Sequence, residues 1–143
     1  MIHKTAIIDK KAKISPTAQI GPYSIIGPNV EISDNVIIKS HVNITGYTSI
    51  GKDNKIYPFA SIGSDPQDIK YNGEKTKLLV GENNTIREYA TINPGTVQGG
   101  GITVVGNNNL IMIGVHIAHD CIIGNNIVIA NSAAIAGHAE IGD

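Results

Sequence analysis

Residues 114–121 read GVHIAHDC and hold the densest group of side chains able to move a proton. His116, His119 and Asp120 lie within this octapeptide, and three of the five histidines (His116, His119, His138) fall within 23 residues. Imidazole is the side chain whose ordinary pKa lies near neutrality. A neighbouring carboxylate can orient it and favour one tautomer. His119 with Asp120 is therefore a candidate for general acid–base work, with His138 as a further histidine in the same region. A second group lies upstream, in PQDIKYNGEKTK (66–77), where Gln67, Asp68 and Lys70 put an amide and both signs of charge on one short stretch.

The element that positions these groups follows from a period of six. Every sixth residue from Ile8 to Ile62 is isoleucine. Val80, Ile86 and Ile92 continue in phase. After a shift of one the pattern resumes at Val105, Ile111, Ile117, Ile123, Ile129, Ile135 and Ile141. A helix face repeats every 3.6 residues and a half-buried strand every 2, so neither explains it. A chain that turns a corner every six residues, with one branched side chain inward on each side, does. Three sides close a coil of about 18 residues, which predicts a hexapeptide β-helix of about seven coils. Small or β-branched residues stand two places before the inward one, Gly often follows it, and Asn, Asp, Gly and Pro fill the corners.

With about 18 residues per coil, His138 falls one coil beyond Asp120 in the same column. His119 sits two places past the inward Ile117, near a corner, with its imidazole expected outside the prism. The period fails at 66–77, where the inward positions would be Asp68 and Glu74. A carboxylate cannot replace Ile in a dry interior cheaply, so a loop is expected there. A second loop is expected around 94–102, at the Gly-rich PGTVQGGG. Insertions in solenoids gather on one face and often build the binding site.

Composition agrees. Charged residues are 16% and aromatics 4%, with no Trp, as a narrow Ile-filled interior requires. The net charge is -1 with no basic run, which argues against nucleic acid. No long apolar segment and no signal peptide precede the hexads, and a single cysteine, Cys121, reads as a small buried filler. These features predict a cytoplasmic protein without membrane insertion. The chain stops at Asp143, directly after a good hexad. An open coil exposes unpaired strand edges, so residues 1–143 are expected to be one β-helical domain of a longer, truncated solenoid.

The stretches HIAHDC, QDIKY and GTVQGGG, with the opening IHKTAII, closely resemble the acyl-carrier-protein-dependent UDP-N-acetylglucosamine O-acyltransferases of lipid A biosynthesis. The similarity covers the whole chain, corresponding to the N-terminal half of such enzymes. It implies a left-handed β-helix, against the usual right-handed crossover. It implies a homotrimer with active sites between subunits. The reaction implied is the first step of lipid A biosynthesis, transfer of a 3-hydroxyacyl group from acyl carrier protein to the sugar 3-hydroxyl, with no cofactor and no metal. On that resemblance His119 takes the general-base position and Asp120 its partner, while Gln67, Asp68, Lys70, His116 and His138 take substrate-contact positions. Asn93-Pro94 departs from the pattern of many members, which carry His or Asn followed by Arg there. The remaining coils and the C-terminal helical domain of such enzymes are missing, so little or no activity is expected of these 143 residues alone. Two other readings are weighed against this one. Three histidines converging between subunits could bind zinc, as in an enzyme resembling the γ-class carbonic anhydrases. A purely structural or binding solenoid would need neither charged excursions nor a histidine column.

Overall fold

The structure, a computed structural model, describes all 143 residues. Twenty short strands of two to four residues each end on one of the twenty expected inward residues, from Ile8 in Ile7–Ile8 to Ile141 in Glu140–Ile141. They stack into three parallel sheets of seven, seven and six strands. The first sheet begins with Ile7–Ile8, the second with Lys13–Ile14 and the third with Gln19–Ile20. Ile7 pairs with Ile25 and Ile25 with Asn43, the spacing that the period of six demands.

The core is the column of inward side chains. Those from Ile20 to Ile129 are buried, while Ile8, Ile14, Ile135 and Ile141 are only partly covered. Burying each such side chain contributes about 1.5–3 kcal/mol. The end coils gain less because a neighbour covers them on one side only.

Polar groups also enter the prism. Asn54, Asn84 and Asn109 occupy the small-residue position two places before an inward Ile, and all three are buried. Each carboxamide is paired. Asn84 N–H donates to Asn54 Oδ1 (2.8 Å), Asn109 N–H to Asn84 Oδ1 (2.9 Å) and Ile127 N–H to Asn109 Oδ1 (2.8 Å). Their Nδ2 groups donate to the carbonyls of Gly81, Gly106 and Gly124. Full pairing makes this burial tolerable. At the same corner a Cβ on Gly51 would lie 2.4 Å from the Gly81 carbonyl oxygen, and one on Gly106 2.3 Å from that of Gly124. Coils can approach this closely only without side chains there.

The two loops interrupt this stack without disturbing its register. Ile62 pairs with Ile92 across the first and Val80 with Val105 across the second. The first runs over 63–76 and leaves Asp68 and Glu74 outside the prism, partly exposed. The second runs over 93–101 and contains the 3₁₀ turn Val97–Gly99. Lys77 and Ile102, expected in the loops, instead open the strands Lys77–Val80 and Ile102–Val105. These strands have four residues, so re-entry begins earlier than the inward residue alone indicates. Both loops leave the same corner, between a strand of the first sheet and one of the second.

Candidate active site

His119 and Asp120 sit at that corner one coil further on, between the strands His116–Ile117 and Ile122–Ile123. Alternation along the strand points His116 outward and Ile117 inward. Asp120 then adopts a left-handed backbone (φ 61) and turns the corner. Its side chain is 1% exposed. Thr96 donates to it twice, from N–H to Oδ1 (2.7 Å) and from Oγ1 to Oδ2 (2.6 Å). His119 Nδ1 lies 2.8 Å from Oδ2, and Asp120 N–H donates to Thr103 Oγ1 (2.8 Å).

Burial alone would raise the pKa of Asp120. The hydrogen bonds from Thr96 and His119 outweigh it and hold the carboxyl below the usual range. An ionised carboxylate can only accept. His119 Nδ1 therefore carries the hydrogen, and the neutral ring keeps its lone pair on Nε2. Asp68 Oδ2 stands 3.9 Å from that Nε2. His138, one coil above, meets His119 edge-on with centroids 5.0 Å apart, and its Nδ1 is 3.9 Å from Asp120 Oδ2. The His119 ring fits under His138 because residue 137 is glycine: a Cβ there would lie 2.6 Å from its Cε1.

His116 is half-buried on the outer face of the first sheet, with Nδ1 2.7 Å from Thr91 Oγ1. Burial pushes its pKa below the ordinary value, and His119, whenever it is protonated, adds to that effect. Asp68 Oδ1 accepts the N–H of Lys70 (3.1 Å), which shapes the first loop. Gln67 and Lys70 have exposed side chains on that loop. Gln67 is anchored through its backbone, whose N–H donates to Asn93 Oδ1 (3.3 Å), and Asn93 Nδ2 donates to the Ser64 carbonyl (3.4 Å). Asn93, buried next to Pro94, thus ties the first loop to the coil.

The expected residues separate into two groups. His119, Asp120, His138 and Asp68 form one cluster, with His116 on the adjoining face. Gln67 and Lys70 stay on the rim. The sequence reading missed Thr96 and Thr103, which bond Asp120, Thr91, which bonds His116, and Gly99 and Gly137, which make room for the histidine–aspartate pair. Thr96 and Gly99 lie within the stretch singled out as a Gly-rich loop. Their contact with Asp120 spans 24 residues for Thr96 and carries no local signal. Cys121 is the buried filler expected; its thiol donates to the Ala136 carbonyl (3.1 Å), and burial pushes its pKa up.

His119, Asp120 and His138 bring three potential metal donors within 4.8 Å of one another. The donor set fits zinc poorly. The Asp120 oxygens already accept three protein hydrogens, and His119 Nδ1 is spent on Asp120. A metal at these atoms would have to break bonds that hold the corner together.

A repeat of six residues closing three parallel sheets defines a hexapeptide-repeat β-helix protein. The bacterial transferase hexapeptide (six repeats) family matches residues 11–46 and 102–137, and the chain belongs to that family. The acyl-[acyl-carrier-protein]–UDP-N-acetylglucosamine O-acyltransferase of Verminephrobacter eiseniae (strain EF01-2) is 54% identical over 100 residues, 70% of this chain and 38% of that protein. The crystal structure of the Francisella novicida UDP-N-acetylglucosamine acyltransferase superposes with a TM-score of 0.98 at 49% identity, covering 100% of this chain and 52% of that one. The Campylobacter jejuni UDP-N-acetylglucosamine acyltransferase gives 0.95 at 43%, covering 100% and 56%. The resemblance read from HIAHDC, QDIKY and GTVQGGG therefore holds across the chain, and the winding is left-handed. The chain spans about half the length of the two solved relatives, and its match covers 38% of the Verminephrobacter protein. No helix is long and apolar enough to cross a membrane.

Proposed function

We propose that this chain is the β-helical, base-carrying part of an enzyme that moves a 3-hydroxyacyl group from acyl carrier protein to the 3-hydroxyl of UDP-N-acetylglucosamine. This is the entry reaction of lipid A biosynthesis, carried out in the cytoplasm. The observation that carries the reading is the buried, ionised Asp120 bonded to His119 Nδ1, which leaves Nε2 with its lone pair at the corner where both loops converge. In the reaction Nε2 takes the proton of the sugar hydroxyl as its oxygen attacks the thioester carbonyl. The carrier thiolate leaves, and the protonated His119 can return the proton to it. Asp120 stabilises the imidazolium and holds its orientation. Asp68, Lys70 and Gln67 on the first loop, with His116 and His138, contact the nucleotide sugar and the acyl group.

A trimer completes this reading. The grooves of the single chain lie along the second and third sheets and near the first coils, and none is lined by His116, His119 or His138. A neighbouring subunit across the first sheet supplies the missing wall. Zinc and purely structural readings have less support, because the donor atoms are already engaged and the charged excursions meet the histidine column.

The test supplies UDP-N-acetylglucosamine and 3-hydroxyacyl carrier protein to the purified chain, alone and extended to the length of its relatives. Turnover is expected from the extended form and little from the chain alone. Sedimentation should give three chains per particle. An extended trimer that folds and binds neither substrate would end this assignment.

A further inference from the structure

A single carboxylate faces two histidines. Asp120 Oδ2 is 2.8 Å from His119 Nδ1 and 3.9 Å from His138 Nδ1. The two rings touch, so a turn of the carboxylate about its last side-chain bond would exchange one partner for the other. The choice is made on the far side of the carboxylate. Thr96 holds Oδ1 with its N–H and Oδ2 with its hydroxyl, so both oxygens are fixed by one residue.

Thr96 is itself tied down by the loop. It is fully buried and caps the 3₁₀ turn Val97–Gly99, where its Oγ1 accepts the N–H of Gly99 (3.2 Å). Its carbonyl accepts the N–H of Gly101 (2.8 Å). The turn packs directly on the aspartate: a Cβ on Gly99 would lie 2.1 Å from Asp120 Cγ. The second insertion thus acts as a rigid clamp built from a neighbouring coil.

We propose that Thr96 is a positioning residue that commits Asp120 to His119 rather than His138, and so keeps the lone pair of His119 on Nε2. The proposal deepens the assignment of His119 as base and rests on it for its catalytic consequence. Without the hydroxyl, Oδ2 loses a donor and the carboxylate is free to turn toward His138. His119 then gains access to its other tautomer, with hydrogen on Nε2. Asp68 Oδ2, 3.9 Å from that nitrogen, is placed to hold it there. In that form the neutral ring offers no lone pair to a substrate hydroxyl.

The experiment is nitrogen-15 NMR of the imidazoles in the 143-residue protein, with turnover measured in the form extended to the relatives' length. Wild-type His119 should show hydrogen on Nδ1 alone. Thr96→Val should give a mixture of tautomers, and Thr96→Ser should restore the single one. Thr96→Val should lower kcat on the order of tenfold with KM nearly unchanged, part of the roughly 10²-fold that a misplacement of 1 Å can cost. Thr96→Ser should recover it. The proposal is overturned if Thr96→Val keeps the single tautomer and wild-type kcat, or if Thr96→Ser is as impaired as Thr96→Val. Should Thr96→Val fail to fold, the wild-type protein decides: a slowly exchanging Thr96 hydroxyl proton with a cross-peak to the His119 Nδ1 proton is required, and its absence rejects the clamp. A His119→Ala variant with full turnover would remove the base assignment while leaving the tautomer result for Thr96 intact.

Discussion

Two corners of the same prism treat their polar groups in opposite ways. At the corner between the second and third sheets, Asn54, Asn84 and Asn109 repeat from coil to coil and bond the glycine carbonyls and backbone amides beside them. The donors there are spent within the stack, on the same coil or on the coils directly above and below. At the corner between the first and second sheets the repeat is broken by two insertions, and Asp120 is bonded by Thr96 from 24 residues away. That bonding spends Asp120 and His119 Nδ1 but leaves Nε2 unspent. Periodic polar groups cancel one another and stabilise the stack. An aperiodic corner leaves a group over for chemistry, because its partners come from insertions that need not repeat.

The comparison can be broken from several directions. The largest effect is expected in the core that both corners share. Ile117→Asp should cost more than about 5 kcal/mol by burying an unpaired charge, and the strand signal in circular dichroism should disappear. Next is the periodic corner. Asn84→Ala leaves the Gly106 carbonyl and the Asn109 N–H without their partner, at about 1–3 kcal/mol each. Urea unfolding should show that loss, while the state of His119 stays unchanged.

At the aperiodic corner the pattern should invert. His119→Ala, in the chain extended to its relatives' length, should lose at least about 10²-fold in turnover while the fold is kept, since Asp120 retains both hydrogen bonds from Thr96. If His119→Ala kept near-normal turnover, His116 would be the next candidate for the base. Asp120→Ala should lose less in turnover, since it acts through His119. It should also cost stability, because Thr96 loses its acceptor. Lys70→Ala and His138→Ala should raise KM more than they lower kcat.

The smallest effect is on pH. Both His116 and Asp120 have pKa values lowered in the folded state, so the unfolded chain binds more protons in each window and stability falls on acidification. The His116 contribution is present above its ordinary value of about 6.5 and is lost as pH falls through its folded value. That of Asp120 is lost further down, below about 3.9. Thermal unfolding followed from pH 8 to pH 3 should show both stages. His116→Asn should flatten the upper one alone.

Much of this was legible because the fold is written locally. A six-residue period assigns each inward side chain without knowledge of any other coil, and all twenty proved to end a strand. The loops were legible because Asp68 and Glu74 cannot occupy an Ile position. The extra strand residues Lys77 and Ile102 were not, since nothing local marks how early a strand re-enters its ladder. The asparagine column went unread for a similar reason: one Asn at a small-residue position looks like a corner residue until the coils above and below supply its partners.

By itself the sequence determined the coil, its phase, the two excursions and a histidine–aspartate pair placed outside the core. Each of these depends on spacing along one strand of chain, or on the cost of burying a charge. Only the tertiary structure decided that both excursions leave the corner that carries His119. It alone brought Asp68 to within 3.9 Å of Nε2 and made Thr96 the partner of Asp120. Insertions of unequal length shift those residues off the regular period, so their meeting is set by where each coil stacks and not by any distance along the chain.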